Sequence, residues 1–165
     1  MITITPIQTY QIAAAKQVIA AVAQRIFEPE KSADEFASIL DDEHELQDVD
    51  NALQVYAGET GIFLVALDDD RLVGTGAIKP HDQQTAELKR LWLLEEYHGR
   101  GIGYQVVMRL FDFARQAGYK RIYLQTSLQQ QRAIAFYKRI GFVEITAYSQ
   151  HPYDDDISLG FWLET

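Results

Sequence analysis

Gly99-Arg100-Gly101-Ile102-Gly103 is the stretch of this chain best suited to bind a charged ligand. Three glycines at alternate positions let peptide N–H groups converge with no Cβ in the way. A helix-like segment follows, and a helix start adds unpaired N–H groups and the positive end of its dipole. Together these form a seat for a diphosphate. The two commonest phosphate loops are absent: there is no Gly-x-x-x-x-Gly-Lys-Ser/Thr and no Gly-x-Gly-x-x-Gly. Cysteine is also absent, which removes disulfides, thiolate metal sites and a cysteine nucleophile. The four histidines, His44, His81, His98 and His151, form no His-Glu-x-x-His pair, so no metal site is expected.

The elements that must position this loop follow from apolar spacing. Ile2 and Ile4 alternate with threonines and predict a short strand that stops at Pro6. From Gln8 to Phe27, Ile12, Ile19, Val22 and Ile26 recur at helical spacing. Ser32, with Glu35 three residues on, predicts a capping box for a second helix carrying Phe36, Ile39 and Leu40. Residues 61–67 and 71–78 flank an aspartate turn and predict a hairpin, and a third strand from Thr85 to Leu94 makes it an antiparallel meander. The glycine loop leads into a helix with a stripe of Ile102, Val106, Leu110 and Ala114, stopped by Gly118. Arg121 to Thr126 is then a strand parallel to the one before the loop, as a helical crossover requires. A helix from Gln130 to Arg139 and strands at 142–145 and 157–163 close the chain. The expected class is α+β, a mixed, largely antiparallel sheet flanked by helices. The last strand is expected either to close the sheet or to pair across a homodimer.

The chain has 165 residues, 47% of them hydrophobic, and no linker-like stretch, so one domain over 1–165 is expected. No apolar run nears the roughly 20 residues that span a bilayer, and the start is unlike a secretory leader. A cytoplasmic protein with no membrane partner is expected. The net charge of −9 argues against nucleic acid as a partner. Acidity concentrates between Glu28 and Asp50, where Lys31 is the only lysine or arginine. That stretch is either a solvated face or a negative rim that draws in a cationic ligand.

Residues 87–103, Glu87-Leu88-Lys89-Arg90-Leu91-Trp92-Leu93-Leu94-Glu95-Glu96-Tyr97-His98-Gly99-Arg100-Gly101-Ile102-Gly103, resemble the cofactor-binding motif of the GNAT superfamily of N-acetyltransferases. Ala133-Ile134-Ala135-Phe136-Tyr137-Lys138-Arg139-Ile140-Gly141-Phe142 resembles that family's second motif. The motifs stand in the family's order and separation, and Val73-Gly74 heads the second hairpin strand as in the family. The resemblance implies an acetyl-CoA-dependent transferase whose two parallel strands splay apart to form the acyl-CoA cleft. It implies that the backbone of Leu91, Trp92 and Leu93 pairs with the pantetheine arm. It implies that the amides of Gly99, Arg100, Gly101, Ile102, Gly103 and Tyr104 hold the pyrophosphate. His98 stands where the family has glutamine or arginine. Gln130 stands where it has asparagine, and keeps an amide for the cofactor. Arg100 and Lys138 are candidates to meet the phosphates.

Acetyl transfer to an amine needs a deprotonated amine, a donor for the oxyanion and a proton for the leaving thiolate. An alkyl ammonium has a pKa of about 10.4, so a base or desolvation must remove its proton. The resemblance assigns the acid to Tyr137 and makes Glu87 the candidate base. Some relatives place a glutamate at the position of Gln125, which cannot serve as a base. The alternative for Tyr137 is a core tyrosine with a satisfied hydroxyl, and for Glu87 a surface carboxylate paired with Lys89 or with a neighbouring strand. Tyr148, His151, Pro152 and Tyr153 are expected to line the acceptor pocket. The expected partners are acetyl-CoA and an amine acceptor, cationic if the acidic rim selects it. The competing class is a non-catalytic acyl-CoA-binding sensor or interaction module.

Overall fold

A computed structural model describes residues 1–149 and 155–163. The strands are β1 (Ile2–Pro6), β2 (Ile62–Asp68), β3 (Arg71–Pro80), β4 (Thr85–Leu93), β5 (Arg121–Ser127), β6 (Val143–Ile145) and β7 (Asp156–Trp162). They form a 7-stranded sheet in the order β1-β2-β3-β4-β5-β7-β6. The helices are α1 (Ile12–Phe27), α2 (Ala33–Asp42), the short α3 (Gln47–Asp50) and α4 (Ala52–Val55), α5 (Ile102–Gln116) and α6 (Gln131–Ile140). The predicted meander is β2-β3-β4, and β4 and β5 are the one parallel pair among antiparallel neighbours. β7 lies between β5 and β6 and is paired on both sides, so it closes the sheet; the sheet edge falls to the short β6.

Each face of the sheet has its own core. On one face, Ile78, Leu88, Ile122, Leu124 and Leu159 meet the predicted stripe of α5. Gly76 lets that helix sit close, since a Cβ there would come within 2.6 Å of Val106 Cγ1. On the other face, Phe63, Val65 and Ala77 pack against Ala15, Val18 and Ile19 of α1 and against Val49 and Tyr56. The buried stripe of α1 is therefore rotated from the predicted one. Ala15, Val18 and Ile19 take the sheet contact, Ala20 and Ala23 pack with Phe36 of α2, and Val22 and Ile26 turn toward a cleft. Ser32 caps α2 by accepting from the Glu35 N–H at 3.1 Å, while its hydroxyl donates to the Glu35 carboxylate at 3.2 Å.

Much of the acidic stretch is internally paired. Lys16 holds Asp41 at 2.7 Å and Asp50 at 2.8 Å. Asp48 takes two hydrogen bonds from Arg90, Nε to Oδ2 at 3.0 Å and Nη2 to Oδ1 at 2.7 Å. Tyr56 donates a third at 2.6 Å, and Arg90 Nη2 also donates to the Glu45 carbonyl at 2.8 Å. Most acidic side chains of the stretch are exposed, and several of them have structural partners as well.

Arg90 is also where β4 departs from regularity. Thr75 faces Trp92 but Ala77 faces Lys89, so β4 carries one extra residue against β3. Arg90 has φ 57°, and its carbonyl accepts from Thr75 Oγ1 at 2.7 Å. A bulge of this kind bends the strand that carries it. Pairing with β5 runs only through Thr85↔Arg121, Ala86↔Ile122 and Glu87↔Tyr123. Beyond Glu87 the two strands part, as the resemblance implied.

Burial pushes the Asp48 carboxyl up, but the Arg90 hydrogen bonds and charge, with the Tyr56 hydroxyl, hold it below the usual carboxylate range. A depressed carboxylate contributes stability above its unfolded value of about 3.9, lost as pH falls through the folded value. Asp48→Asn should therefore destabilise the fold at neutral pH by about 2 kcal/mol. Thermal unfolding should show a Tm lower by about 5 °C, and the gap from the parent should narrow below about pH 4.

Candidate active site

β4 ends at Leu93, a 3₁₀ turn occupies Glu95–Tyr97, and α5 begins at Ile102 with Gly101 as its N-cap residue. Gly99 and Gly101 have φ of 83° and 76°, the left-handed region that disfavours a side chain. No heavy atom lies within 4 Å of a Cβ built at either, so the loop faces open space. Tyr97 anchors the turn: it is buried, and its hydroxyl donates to Asp68 at 2.6 Å. The Arg100 guanidinium lies 4.8 Å from the centre of the Tyr97 ring, and that of Arg71 5.7 Å. His98 Nε2 stands 3.0 Å from the Leu93 carbonyl. A carbonyl only accepts, so Nε2 carries the proton and ties the loop to the end of β4. That is a positional role.

A cavity of about 930 Å³ opens in front of this loop. Leu91, Trp92, Leu93, His98, Gly99, Gly101, Ile102, Gly103, Tyr104 and Gln130 all line it, so those sequence-predicted residues are brought together. Arg100 is not on the wall; its side chain covers Tyr97 instead. Lys138 is exposed and also off the wall. Sequence reasoning missed the cations that do line it: Arg25, Arg71, Arg132 and Arg139. Arg25 pairs with Glu95 and Arg71 with Glu96, whereas Arg132 and Arg139 have no carboxylate partner among the described residues. The signal for the last two was available, because Arg132, Phe136 and Arg139 share one face of α6 at helical spacing.

A second cavity, about 210 Å³, adjoins the first and shares Leu91, Trp92 and Gln130 with it. Its walls bring Glu87 from β4, Gln125 from β5, and Gln130 and Tyr137 from the α6 region to one place. Tyr137 is only 6% exposed, and its ring packs edge-on against Phe142 with centres 5.6 Å apart. Its hydroxyl has no hydrogen-bond partner among the described residues. Burial pushes the phenol pKa above its usual value, so it is protonated at neutral pH. Glu87 accepts from the Tyr148 hydroxyl at 2.7 Å and makes no ion pair with Lys89 among the described residues. Gln125 donates to Asp156 at 3.3 Å and accepts from Ser149 at 3.2 Å. His151, Pro152 and Tyr153 lie outside the described residues. A carboxylate and a protonated phenol on one small cavity can take one proton and give another.

Among the described residues, no group of three or more histidines or carboxylates is placed to hold a metal ion. No helix among them is long and apolar enough to cross a membrane.

The sequence profile of the acetyltransferase (GNAT) family matches residues 20–142. The chain is 30% identical over 100 residues to the uncharacterized N-acetyltransferase YjgM of Escherichia coli strain K12, covering 59% of this chain and 60% of that protein. It is 35% identical over 101 residues to human N-acetyltransferase 8B, covering 58% and 44%. The matched stretch thus spans about half the length of these curated relatives. The fold is similar to that of an acetyltransferase from Streptococcus agalactiae, with a TM-score of 0.81, 26% identity and 98% of each chain covered. It is also similar to the PaiA N-acetyltransferase of Thermoplasma acidophilum, solved in complex with coenzyme A, with a TM-score of 0.81, 19% identity and 98% and 99% coverage. With the profile spanning both the glycine loop and the helix that carries Tyr137, the chain belongs to the acetyltransferase (GNAT) family.

Proposed function

We propose that this chain, acting as one domain over residues 1–165, moves the acetyl group of acetyl-CoA directly onto a primary amine of a small molecule or protein. One observation carries the reading. The edge of β4 that has lost its β5 partner runs continuously from the glycine loop to the cavity holding Glu87 and Tyr137. The residues present suit the donor. The N–H groups at the start of α5 and the open space before Gly99 and Gly101 suit a diphosphate. Arg132 and Arg139 supply unpaired positive charge on the same wall. The unpaired edge at Leu91 to Leu93 offers backbone groups to the pantetheine amides, and Gln130 offers its side-chain amide. The coenzyme A complex of PaiA and the structure of YncA from Salmonella typhimurium with its cofactor acetyl-CoA support this choice of donor.

The donor supplies an activated thioester; the chain supplies proton handling and alignment. Glu87 takes the proton from the ammonium, directly or through water, so that the nitrogen lone pair can attack the thioester carbon. Tyr137 gives its proton to the departing sulfur as the carbon–sulfur bond breaks, and the second proton, shed by the nitrogen as it becomes an amide, restores the phenol directly or through water. Its raised pKa suits that task, because the proton stays on until the thiolate develops. Gln125 and Gln130 add polar lining without competing for a proton. A cationic amine fits the net charge of −9 and the Glu87 carboxylate.

Calorimetry should show heat with acetyl-CoA, and thiol release should follow with some member of a panel of diamines, lysine and peptides with free N-termini. Binding without release from any amine would instead mark an acyl-CoA-binding module. Gly101→Ala forces a Cβ into the left-handed region and should weaken acetyl-CoA binding about tenfold. Tyr137→Phe and Glu87→Gln should each lower kcat by about 100-fold with KM for acetyl-CoA nearly unchanged. Because burial raises the Tyr137 pKa, the parent enzyme should show no loss of rate from its acid below about pH 10.

A further inference from the structure

Tyr148 belongs to neither sequence motif, yet its hydroxyl is the group that holds Glu87. It donates to Glu87 Oε2 at 2.7 Å across 61 residues of chain. The ring itself is fixed from two other elements. His81, just beyond β3, meets it edge-on with ring centres 5.1 Å apart, and Tyr123 of β5 lies at 5.2 Å. Tyr123 is also the register partner of Glu87, so the ring and the carboxylate are referred to the same point on the sheet.

Glu87 is half-buried at the end of the β4–β5 ladder, and its side chain has three rotatable bonds. Among the described residues it has no ion pair, and Oε1 has no hydrogen-bond donor. We propose that Tyr148 is a positioning residue that fixes the Glu87 carboxylate by binding Oε2, leaving Oε1 to take the proton of the incoming amine. This inference rests on the reading of Glu87 as the base. The direction of donation is constant: burial, then the Glu87 charge and hydrogen bond, push the Tyr148 phenol well above its usual range. The hydroxyl therefore remains a donor wherever the carboxylate is charged. Tyr148 acts through Glu87, with no proton of its own to lose in the reaction.

A double-mutant cycle tests this, with acetyl-CoA and whichever amine of the panel releases thiol fastest. Tyr148→Phe removes the hydroxyl but keeps the ring against His81 and Tyr123, so Tm should change little. It should lower kcat about tenfold, the loss expected for one hydrogen bond to a charged group, with KM for acetyl-CoA unchanged. In the Glu87→Gln background the same substitution should have no further effect on kcat. Glu87→Asp withdraws the carboxylate from the hydroxyl and should likewise remove sensitivity to Tyr148→Phe. If Glu87→Gln leaves kcat intact, the base assignment fails and this inference goes with it. If Glu87→Gln slows the reaction but Tyr148→Phe does not, or slows every background equally, the base assignment stands and the positioning role of Tyr148 is overturned.

Discussion

The extra residue in β4 is the constraint on which the rest of the structure depends. A regular parallel pair would have continued from Glu87↔Tyr123 to the ends of both strands and closed the sheet. The bulge at Arg90 turns β4 away and leaves its peptide groups beyond Glu87 without a strand partner on that side. Backbone N–H and C=O groups left unpaired require water or a ligand to satisfy them. The cleft is therefore a direct consequence of one irregularity in a hydrogen-bond ladder.

That irregularity carries its own cost. A non-glycine residue held at φ 57° is unfavourable by about 1–2 kcal/mol. The charge-assisted bonds from Arg90 to Asp48 are each worth about 1.5–3 kcal/mol and offset it. Asp48 belongs to the acidic segment, so the segment that looked like a solubilising face also braces the strand that carries the donor site. Lys16 plays a similar part by holding Asp41 and Asp50 together.

The two cavities differ in their polar lining. The one before the glycine loop has helix N–H groups, left-handed glycines, the carboxylate-paired Arg25 and Arg71, and Arg132 and Arg139, which have no carboxylate partner among the described residues. The smaller one has the Glu87 carboxylate, a buried neutral phenol and two uncharged amides, with Lys89 and the Asp48-paired Arg90 also on its wall. Gln130 lines both cavities and marks their junction. The stripe of α5 packs one face of the sheet and Ala15, Val18 and Ile19 of α1 pack the other.

What the sequence determined by itself was most of what near neighbours set, though not which stripe of α1 is buried. Alternation and helical spacing marked the meander, the order of elements, the start of α5 at the glycine loop and the parallel relation of β4 to β5. Glycine spacing marked the loop, and the family resemblance marked Leu91 to Leu93, Gln130, Glu87 and Tyr137, which the fold brings onto two adjoining cavities. Tertiary structure alone decided which side chains are committed elsewhere. Arg100 turns onto Tyr97, Arg90 reaches 42 residues back to Asp48, and Tyr148 reaches 61 residues back to Glu87. The sequence carries no periodic mark for such pairs, because their geometry follows from how distant strands and loops are packed, and a bulge or hydroxyl contact is decided only there.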